Sequence, residues 1–299
     1  MTLTELRYLV ALSETGHFRK AAEQCFVSQP TLSVAVKKLE DELGVPLFER
    51  ARNHITATPI GQRIINQART VLREADNLVS LAELGKDPLG SVLSLGAIYT
   101  LGPYLFPRLV NRLHQRVPAM PLYIEESYTA NLRRKLADGE LDAIFVALPF
   151  TETDVLTREV FDEPFVVVLP QGHPLANQET IEPADLATEH VLLMGEGHCF
   201  RDQVLAACPG LQTAITSARE SGQANIEGSS LETLKLMVAS GMGITVLPQL
   251  AADSAQDNDS SLVIRPFTDP VPRRTLALAW RASFPRPEAI EVLTQAVRD

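Results

Sequence analysis

Two of the chain's three cysteines lie in one short stretch, GHCFRDQVLAAC, which runs from Gly197 to Cys208. A thiolate reacts with peroxides and disulfides and binds soft metal ions, so two cysteines close together can carry chemistry. His198 directly precedes the first cysteine, Cys199, and the second follows nine positions later. The residue types fit three kinds of pair: a redox pair, part of a metal site, or two ordinary core residues.

The apolar pattern of the same stretch predicts a short helix, with Cys199 near its start and Cys208 at its end. Nine residues of α-helix span about 13.5 Å, whereas a disulfide requires Cα atoms within about 7 Å of each other. The two thiols could then bond only if the helix unwound, so oxidation would be a structural event. The helix is predicted from the helical spacing of Phe200, Val204 and Ala207. Pro209 and Gly210 then provide its stop.

Local charge favours reactivity at the first of the two cysteines. The N-terminal end of a helix and nearby cations both stabilise a thiolate, and His198 and Arg201 lie beside Cys199. A thiolate attacks peroxide to give a sulfenic acid, which a second cysteine converts to a disulfide. Two buried structural cysteines remain an alternative. A zinc site is disfavoured because the paired spacing of zinc ligands is lacking, and we expect no metal and no cofactor.

Composition indicates a soluble chain of two or three domains, with 299 residues, 45% hydrophobic side chains and a net charge of −10. We see no signal-peptide pattern and no apolar run near the roughly 18 residues of a membrane span. We therefore expect a cytoplasmic protein, in which thiols are kept reduced. Residues 1–58 carry seven basic and seven acidic side chains, and the remainder holds the whole acidic excess. Any binding of nucleic acid must use placed charges in that first segment.

The first 58 residues predict three short helices. The first, in TLTELRYLVALSETG, is capped by Thr2 or Thr4 and ended by Gly16, and the second lies in FRKAAEQC. The third, in SQPTLSVAVKKLEDELG, has Ser28 as its N-cap and Gly44 as its stop. Its predicted buried stripe is Leu32, Val36, Leu39 and Leu43.

The opposite face of the third helix carries hydrogen-bonding residues and then cations, which suits a recognition helix in the major groove of DNA. Two short β-rich runs, Leu47–Arg50 and Ile55–Thr58, follow it and predict a wing. An unrelated three-helix domain would show the same helices, and the wing favours a winged helix-turn-helix instead. The candidate DNA-binding residues are Gln29, Pro30, Thr31, Ser33, Lys37, Arg50 and Arg52.

Residues 59–84 predict one long helix, with apolar residues at alternating steps of four and three, as in a coiled-coil seam. The stripe is too narrow to be buried against a domain, so we predict that it pairs with the same helix of a second subunit. GKDPLG, residues 85–90, predicts a hinge. The seam residues are Ile64, Ala68, Val71, Ala75, Leu78 and Ala82.

The stretch FRKAAEQCFVSQPTLSVAVKKLEDELGVPLFER resembles the N-terminal signature of LysR-type transcriptional regulators, and the order of elements matches over the full chain. The resemblance implies a regulatory module of two subdomains, similar to periplasmic binding proteins. Independently, β-rich runs alternating with helical patterns predict an α/β architecture with mainly parallel sheets. The expected segments are a DNA-binding domain (1–58), a dimerising helix (59–84), the hinge (85–90) and a regulatory domain (91–299), with subdomain I at 91–163 and 268–299 and subdomain II at 164–267.

Within that family, EGHCFRDQVLAAC, IYTLGPYLFP and EESYTANL are similar to the hydrogen-peroxide-sensing OxyR subgroup. The resemblance implies that Cys199 is the peroxidatic and Cys208 the resolving cysteine. From the residues alone, Thr100 and Thr129 each lie between a predicted strand and a predicted helix, and both are expected to be N-caps. SAQDNDSSLVIRPF carries no further cysteine, and Cys25 is expected to be a core residue. The resemblance also implies peroxide-binding or tuning roles for Thr100, Thr129, His198, Asp202 and Arg274.

The prediction is a LysR-type transcription activator of the oxidative-stress response, not an enzyme, that senses hydrogen peroxide by oxidation of Cys199 and disulfide formation with Cys208. Its expected partners are promoter DNA, hydrogen peroxide, RNA polymerase and further copies of the chain in a homotetramer (a dimer of dimers), with no membrane. Two alternatives stay open. One is a LysR-type regulator whose inter-subdomain cleft binds a small metabolite, and the other is a peroxide-consuming enzyme with a DNA-binding domain attached.

Overall fold

A computed structural model describes residues 1–51, 54–84, 89–220, 227–256 and 261–298. Contacts within the chain divide it into two compact units, residues 1–86 with 137–139 and residues 87–136 with 140–299. None of the helices in these described ranges is long and apolar enough to cross a membrane. Most of the predicted hinge, residues 85–88, lies outside the described residues.

Three helices packed around an apolar core open the first unit, as the sequence predicts. They are α1 (Leu3–Thr15), α2 (Phe18–Gln24) and α3 (Gln29–Leu43). Thr2 caps α1 and Ser28 caps α3, while Gly16 and Gly44 end the same two helices in the left-handed conformation that glycine adopts without strain. One residue of the predicted buried stripe is misplaced: Leu43 is 38% exposed, because it is the last residue of α3, beside the turn at Gly44.

A two-stranded antiparallel wing, β1 (Phe48–Ala51) and β2 (His54–Ala57), follows α3 and leads into the long helix α4 (Pro59–Leu84). The prediction that the apolar stripe of α4 is too narrow to be buried within the chain is wrong for its first turns. Ala68 is buried and Ile64 packs against the core of the three helices, because α1 lies along this part of α4. Further along α4, large apolar side chains are exposed, at Val71, Leu78 and Val79.

Strands and helices alternate through the second unit, which confirms the predicted α/β class. The first part comprises β3 (Leu93–Ile98), α5 (Gly102–Arg116), β4 (Leu122–Ser127), α6 (Thr129–Asp138), β5 (Ala143–Ala147) and β6 (Val155–Pro170). After two 3₁₀ turns, at Pro174–Asn177 and Asp185–Thr188, there follow β7 (Val191–Met194), α7 (Cys199–Ala207), α8 (Pro209–Glu220), β8 (Glu227–Gly228), α9 (Leu231–Ala239), β9 (Ile244–Pro248), α10 (Gln249–Gln256), β10 (Leu262–Pro266), β11 (Arg273–Arg281) and α11 (Pro287–Arg298).

The described strands of this unit form one sheet in the order β4-β3-β5-β11-β6-β9-β7-β8, with β10 beside β6. The expectation of mainly parallel sheets is wrong, because the sheet is mixed. Its two ends, β4-β3-β5 and β9-β7-β8, are parallel. In the middle, β11 runs antiparallel to β5 and β6, and β6 runs antiparallel to β9 and β10. The two long central strands, β6 and β11, thus supply the antiparallel pairs that join the two parallel ends of the sheet.

Strand β6 links two apolar cores. Up to Pro164 it pairs with β11, and from Phe165 onward it pairs with β9 and β10. The core on one side, called here the first core, gathers apolar residues of β3, α5, α6, β5, β11 and α11. The second core gathers those of the later part of β6 with β7, α7, α9, β9 and α10. The point where β6 changes partners therefore lies at the junction of the two cores.

Gly96 in β3 lies where a side chain has no room, because a Cβ there would be 2.6 Å from Leu132 Cδ2 and 2.7 Å from Leu141 Cδ1. We expect Gly96→Ala to lower the free energy of unfolding of the second unit by about 1–3 kcal/mol through overpacking, as measured by urea denaturation. Gly195→Ala is the matched control. Its Cβ would meet no atom closer than 3.9 Å, so we expect a change within about 0.5 kcal/mol. Equal losses in the two variants would contradict the overpacking explanation.

Candidate functional site

Three chain segments meet at one small cavity in the second unit. Two are the C-terminal ends of the adjacent parallel strands β3 and β4, and the third leads into α7. Ligand sites of α/β folds lie at such strand ends. The cavity offers about 10 Å³ to the centre of a water-sized molecule, which is space for a single small ligand. Its lining residues are Ile98, Tyr99, Thr100, Ser127, Tyr128, Thr129, Gly197, His198 and Cys199.

Arg274 supports one wall of this cavity from behind. Its guanidinium donates to Thr100 Oγ1 at 2.8 Å and to the Thr100 carbonyl oxygen at 3.0 Å. It also forms an ion pair with Glu163 at 2.7 Å, in which neither side chain is more than 2% exposed. Glu163 accepts a further hydrogen bond, 3.0 Å long, from the backbone N–H of Leu250 in α10, and the guanidinium lies 5.2 Å from the centre of the Phe200 ring. Arg274 therefore does not line the cavity but positions Thr100, which does.

Thr100 is not the helix cap that its place after a strand suggested. The N-cap of α5 is Leu101, so the prediction is wrong for Thr100 because its hydroxyl accepts a hydrogen bond from Arg274 instead. A hydroxyl that accepts from a cation keeps its own proton for donation, and the charge of the donor strengthens that second bond. Thr129, the other threonine, is the half-buried first residue of α6, so it lies inside the helix and is not its N-cap either.

His198 packs against two tyrosine rings at the cavity. The centre of its imidazole lies 4.6 Å from that of Tyr128 and 6.0 Å from that of Tyr99. Only 6% of His198 is exposed, and this burial lowers the pKa of the imidazole below its ordinary value of 6.5. His198 is therefore neutral at neutral pH, which corrects the expectation of a histidine cation beside Cys199.

The second expected cation, Arg201, is engaged elsewhere. Its guanidinium donates to the carbonyl oxygen of Met194 at 2.7 Å and forms an ion pair with Glu227 at 2.9 Å. A carboxylate therefore already balances the charge of Arg201. The local charge that remains for a thiolate at Cys199 is the positive end of α7, which begins at that residue.

The two cysteines lie at opposite ends of α7, as predicted, with Cys199 as its first residue and Cys208 as its C-cap, and both are free thiols. Cys199 is half-buried and packs against the first core, whereas Cys208 is buried inside the second core. Burial raises the pKa of the Cys208 thiol to about 11. Nine residues of helix separate the two Cα atoms by about 13.5 Å, so no disulfide can form while α7 is intact.

The structure thus brings Cys199, His198, Thr100 and Thr129 together, but not every residue that sequence reasoning proposed. Asp202 is exposed in the first turn of α7 and is not among the described residues that line the cavity. Six residues of the site were missed. Two of them directly precede the predicted threonines, and that adjacency was the one signal in the sequence that could have found them. The missed residues are Ile98, Tyr99, Ser127, Tyr128 and Gly197 in the lining and Glu163 behind it.

The exposed face of α3 carries most of the predicted DNA-binding residues. Arg50 lies in β1 opposite Ile55, but its side chain and all of Arg52 lie outside the described residues. Two exposed apolar residues of this region were missed: Val34 in α3 is 67% exposed, and Phe26 before it is 96% exposed. Apolar side chains at a recognition helix can contact thymine methyl groups. Gln29, Pro30, Thr31 and Lys37 are exposed, and Ser33 is half-buried.

Within the part of the chain that the structure describes, no group of three or more histidine, cysteine, aspartate or glutamate side chains is arranged to hold a metal ion. His198, the neighbour of Cys199 in the chain, stacks on Tyr128, and Cys208 lies at the other end of α7. The chemistry at the cavity is that of one thiol and its hydrogen-bonding neighbours.

Two family models match the chain. Residues 3–62 match the bacterial regulatory helix-turn-helix protein of the lysR family, and residues 86–299 match the LysR substrate binding domain. Among relatives, the DNA-binding transcriptional dual regulator OxyR of Escherichia coli K12 is 41% identical over 298 residues, which cover 100% of this chain and 95% of the relative.

Two solved structures extend these matches. Full-length OxyR from Pseudomonas aeruginosa, a cysteine-to-aspartate mutant, is 54% identical, with a TM-score of 0.78 over 100% of this chain and 98% of that one. A cysteine-to-serine mutant of Corynebacterium glutamicum OxyR, solved with H2O2 bound, is 30% identical, with a TM-score of 0.65 over 99% of this chain and 91% of that one. Because the matches span the whole chain, this protein belongs to the LysR family of bacterial transcription regulators, within its OxyR group.

Proposed function

We propose that this protein is a DNA-binding transcription regulator that senses hydrogen peroxide through Cys199. The observation that carries the proposal is that a half-buried thiol, at the positive end of α7, lines a cavity for one water-sized molecule. Hydrogen peroxide is only slightly larger than water and forms the same kinds of hydrogen bond. The C. glutamicum relative with H2O2 bound supports the assignment.

Polar groups of the cavity can carry the first chemical step. The Cys199 thiolate attacks one peroxide oxygen, so that an S–O bond forms while the O–O bond breaks. Cys199 becomes a sulfenic acid, and the other oxygen leaves as hydroxide and takes a proton to become water. The Thr100 hydroxyl, polarised by Arg274, can donate a hydrogen bond to the peroxide. His198, being neutral, offers one ring N–H as a further donor.

The second step requires α7 to unwind. Cys208 attacks the sulfur of the sulfenic acid, an S–S bond forms, the S–O bond breaks, and water leaves. The Cys208 thiol has a pKa of about 11 and is buried in the second core, so it cannot react until its surroundings open. Cys199 packs against the first core. The disulfide would therefore draw together residues that the reduced protein holds in two different cores, and Asp202 would move with them.

Regulation by this reaction needs DNA and a second subunit. The proposed DNA-binding surface is the exposed face of α3 together with Arg50 and Arg52, in a domain of residues 1–58. We assign residues 59–84 to pairing between subunits because Val71, Leu78 and Val79 are exposed on α4. The working form is a homotetramer built as a dimer of dimers, acting in the cytoplasm with RNA polymerase as a further partner. We assign the protein as a sensor and not an enzyme, because a thiol peroxidase would not explain the helix-turn-helix domain of the lysR family in the same chain.

The two cysteines have separable roles in this mechanism. To test them, the reduced protein is treated with one equivalent of hydrogen peroxide and the products are identified by mass spectrometry. We expect the wild type to lose two thiols and to yield a Cys199–Cys208 cross-linked peptide. Cys199→Ser should show no oxidation, because a serine hydroxyl cannot supply a thiolate. Cys208→Ser should accumulate sulfenic acid at Cys199, trapped with dimedone, because no thiol resolves it. Cys25→Ser is the control and should behave as the wild type.

Other outcomes of the same experiment identify other functions. Unchanged thiols in the wild type would favour a regulator that binds a small metabolite. Sustained consumption of peroxide with added reductant would favour an enzyme. Limited proteolysis adds a structural readout, because cleavage between Phe200 and Pro209 should change on oxidation if α7 unwinds. Identical cleavage of the reduced and oxidised wild type would overturn the unwinding step.

The burial of neutral His198 should make the free energy of unfolding depend on pH. Its pKa is lowered in the folded protein, so below about pH 6.5 the unfolded chain binds a proton that the folded protein does not, and stability falls. We expect the wild type to lose more stability than His198→Gln between about pH 7.5 and pH 5.5, measured by urea unfolding. His114→Gln, at an exposed histidine of α5, should match the wild type. Equal pH dependence in all three proteins would contradict the burial argument.

The exposed seam of α4 should hold subunits together. A charge at Leu78, which is 68% exposed, would be buried without a partner in a paired seam, so Leu78→Glu should shift the protein toward monomers. Analytical ultracentrifugation measures the change, and binding to a full operator should weaken in parallel. Ser80→Glu, on the opposite side of the same exposed turn, should keep the wild-type assembly. Wild-type association of Leu78→Glu would show that subunits pair through another surface.

A further inference from the structure

The cavity at Cys199 has a buried inner wall and an exposed rim. The buried lining residues are Ile98, Thr100, Ser127 and His198. Tyr99 and Tyr128, by contrast, are each 39% exposed, and Gly197 is exposed beside them. The two tyrosine rings therefore form much of the rim that a molecule from solvent meets on its way to the thiol.

The rings are held in place from several sides. Tyr99 and Tyr128 meet edge to face with their centres 5.2 Å apart, a favourable arrangement for aromatic pairs. Tyr128 also packs on His198, 4.6 Å away. A Cβ placed on Gly197 would lie 3.5 Å from carbon atoms of the Tyr128 ring, so the backbone of Gly197 is in close contact with that ring. Exposed side chains nevertheless change rotamer within nanoseconds, so the rim can open briefly and close again.

We propose that Tyr99 and Tyr128 form a gate that makes Cys199 selective for hydrogen peroxide over alkyl hydroperoxides. The inference rests on the proposed function, in which Cys199 reacts with peroxide inside this cavity. A space of about 10 Å³ for the centre of a water-sized molecule accepts H–O–O–H inside the rim. An alkyl group on the second oxygen does not fit within that space and must lie at the rim, where it meets the tyrosine rings.

The selectivity is steric, because the chemical step is the same for both classes of peroxide. The thiolate attacks the OH oxygen of the alkyl hydroperoxide, an S–O bond forms, and the O–O bond breaks. The leaving group is an alkoxide, which takes a proton to become the alcohol, and Cys199 again becomes a sulfenic acid. A variant that widens the rim should therefore gain reactivity toward alkyl hydroperoxides without any change at the thiol.

The test compares rates of Cys199 oxidation by hydrogen peroxide and by tert-butyl hydroperoxide in the reduced full-length protein, followed by quenching and mass spectrometry. The wild type should react faster with hydrogen peroxide. Tyr128→Ala should raise the rate with tert-butyl hydroperoxide roughly tenfold or more, the usual size of a steric pocket effect, with a smaller change for hydrogen peroxide. Tyr99→Ala is a second, independent opening of the rim and should shift the ratio of the two rates in the same direction.

Two control variants separate the gate from a general structural effect. Tyr128→Phe keeps the ring and removes only the hydroxyl, so it should keep the wild-type ratio of rates. A changed ratio in this variant would mean that the hydroxyl, and not the ring, sets the selectivity. Tyr123→Ala removes a tyrosine that is 52% exposed on β4, outside the cavity lining, and should also keep that ratio. Circular dichroism confirms that each variant is folded before its rates are compared.

The outcomes distinguish failure of the gate from failure of the proposed function. If the wild type does not react with hydrogen peroxide, both proposals are overturned. If it reacts, but neither alanine variant changes the ratio of the two rates, the gate is overturned and peroxide sensing stands. Equal rates of the wild type with the two peroxides would likewise overturn the gate alone. A changed ratio in both alanine variants, but in neither control, supports it.

Discussion

The buried ion pair between Arg274 and Glu163 is the interaction on which the reactive site depends. Removing two charges from water is costly, and a buried pair persists only when its remaining hydrogen-bonding groups are satisfied. Here the guanidinium also donates twice to Thr100 and lies over Phe200, while Glu163 accepts from Leu250. Glu163 lies two residues before Phe165, the point at which β6 changes partners. One pair thus joins the two halves of the sheet and orients a hydroxyl at the cavity, and loss of one partner would cost about 3–5 kcal/mol.

Helix α7 connects this pair to the two thiols. Phe200 packs edge to face on Phe165, with ring centres 5.1 Å apart, and its other neighbour is Arg274. Val204 and Cys208 bury the following turns in the second core. Burying each large apolar side chain stabilises a fold by about 1.5–3 kcal/mol, so these contacts favour the reduced, helical form. In the proposed mechanism, the free energy released by reduction of peroxide offsets the loss of these contacts. Helix α7 is then either intact or unwound, so the protein has two discrete states.

Burial also decides the charge of the groups around Cys199. His198 is neutral because the tyrosine rings and the protein interior keep water away from it. Arg201 is balanced by Glu227. The site therefore relies on a helix terminus and a hydroxyl polarised at a distance by Arg274, not on a cation at the thiol. Such an arrangement leaves the small cavity free of side-chain charges that would bind other anions.

Short-range patterns in the sequence determined much of this protein. Ser28 caps α3 and Gly44 ends it, while α7 begins at Cys199 and ends at Cys208, because caps and stops act within a few residues. The family follows from motifs that are equally local. Tertiary structure alone decided the mixed direction of the sheet and the burial of Ala68. It alone brought Arg274 to Thr100, 174 residues away in the chain, and gave His198 its lowered pKa. These features depend on which residues, distant in the chain, pack together and exclude water. No local pattern of residues specifies those contacts.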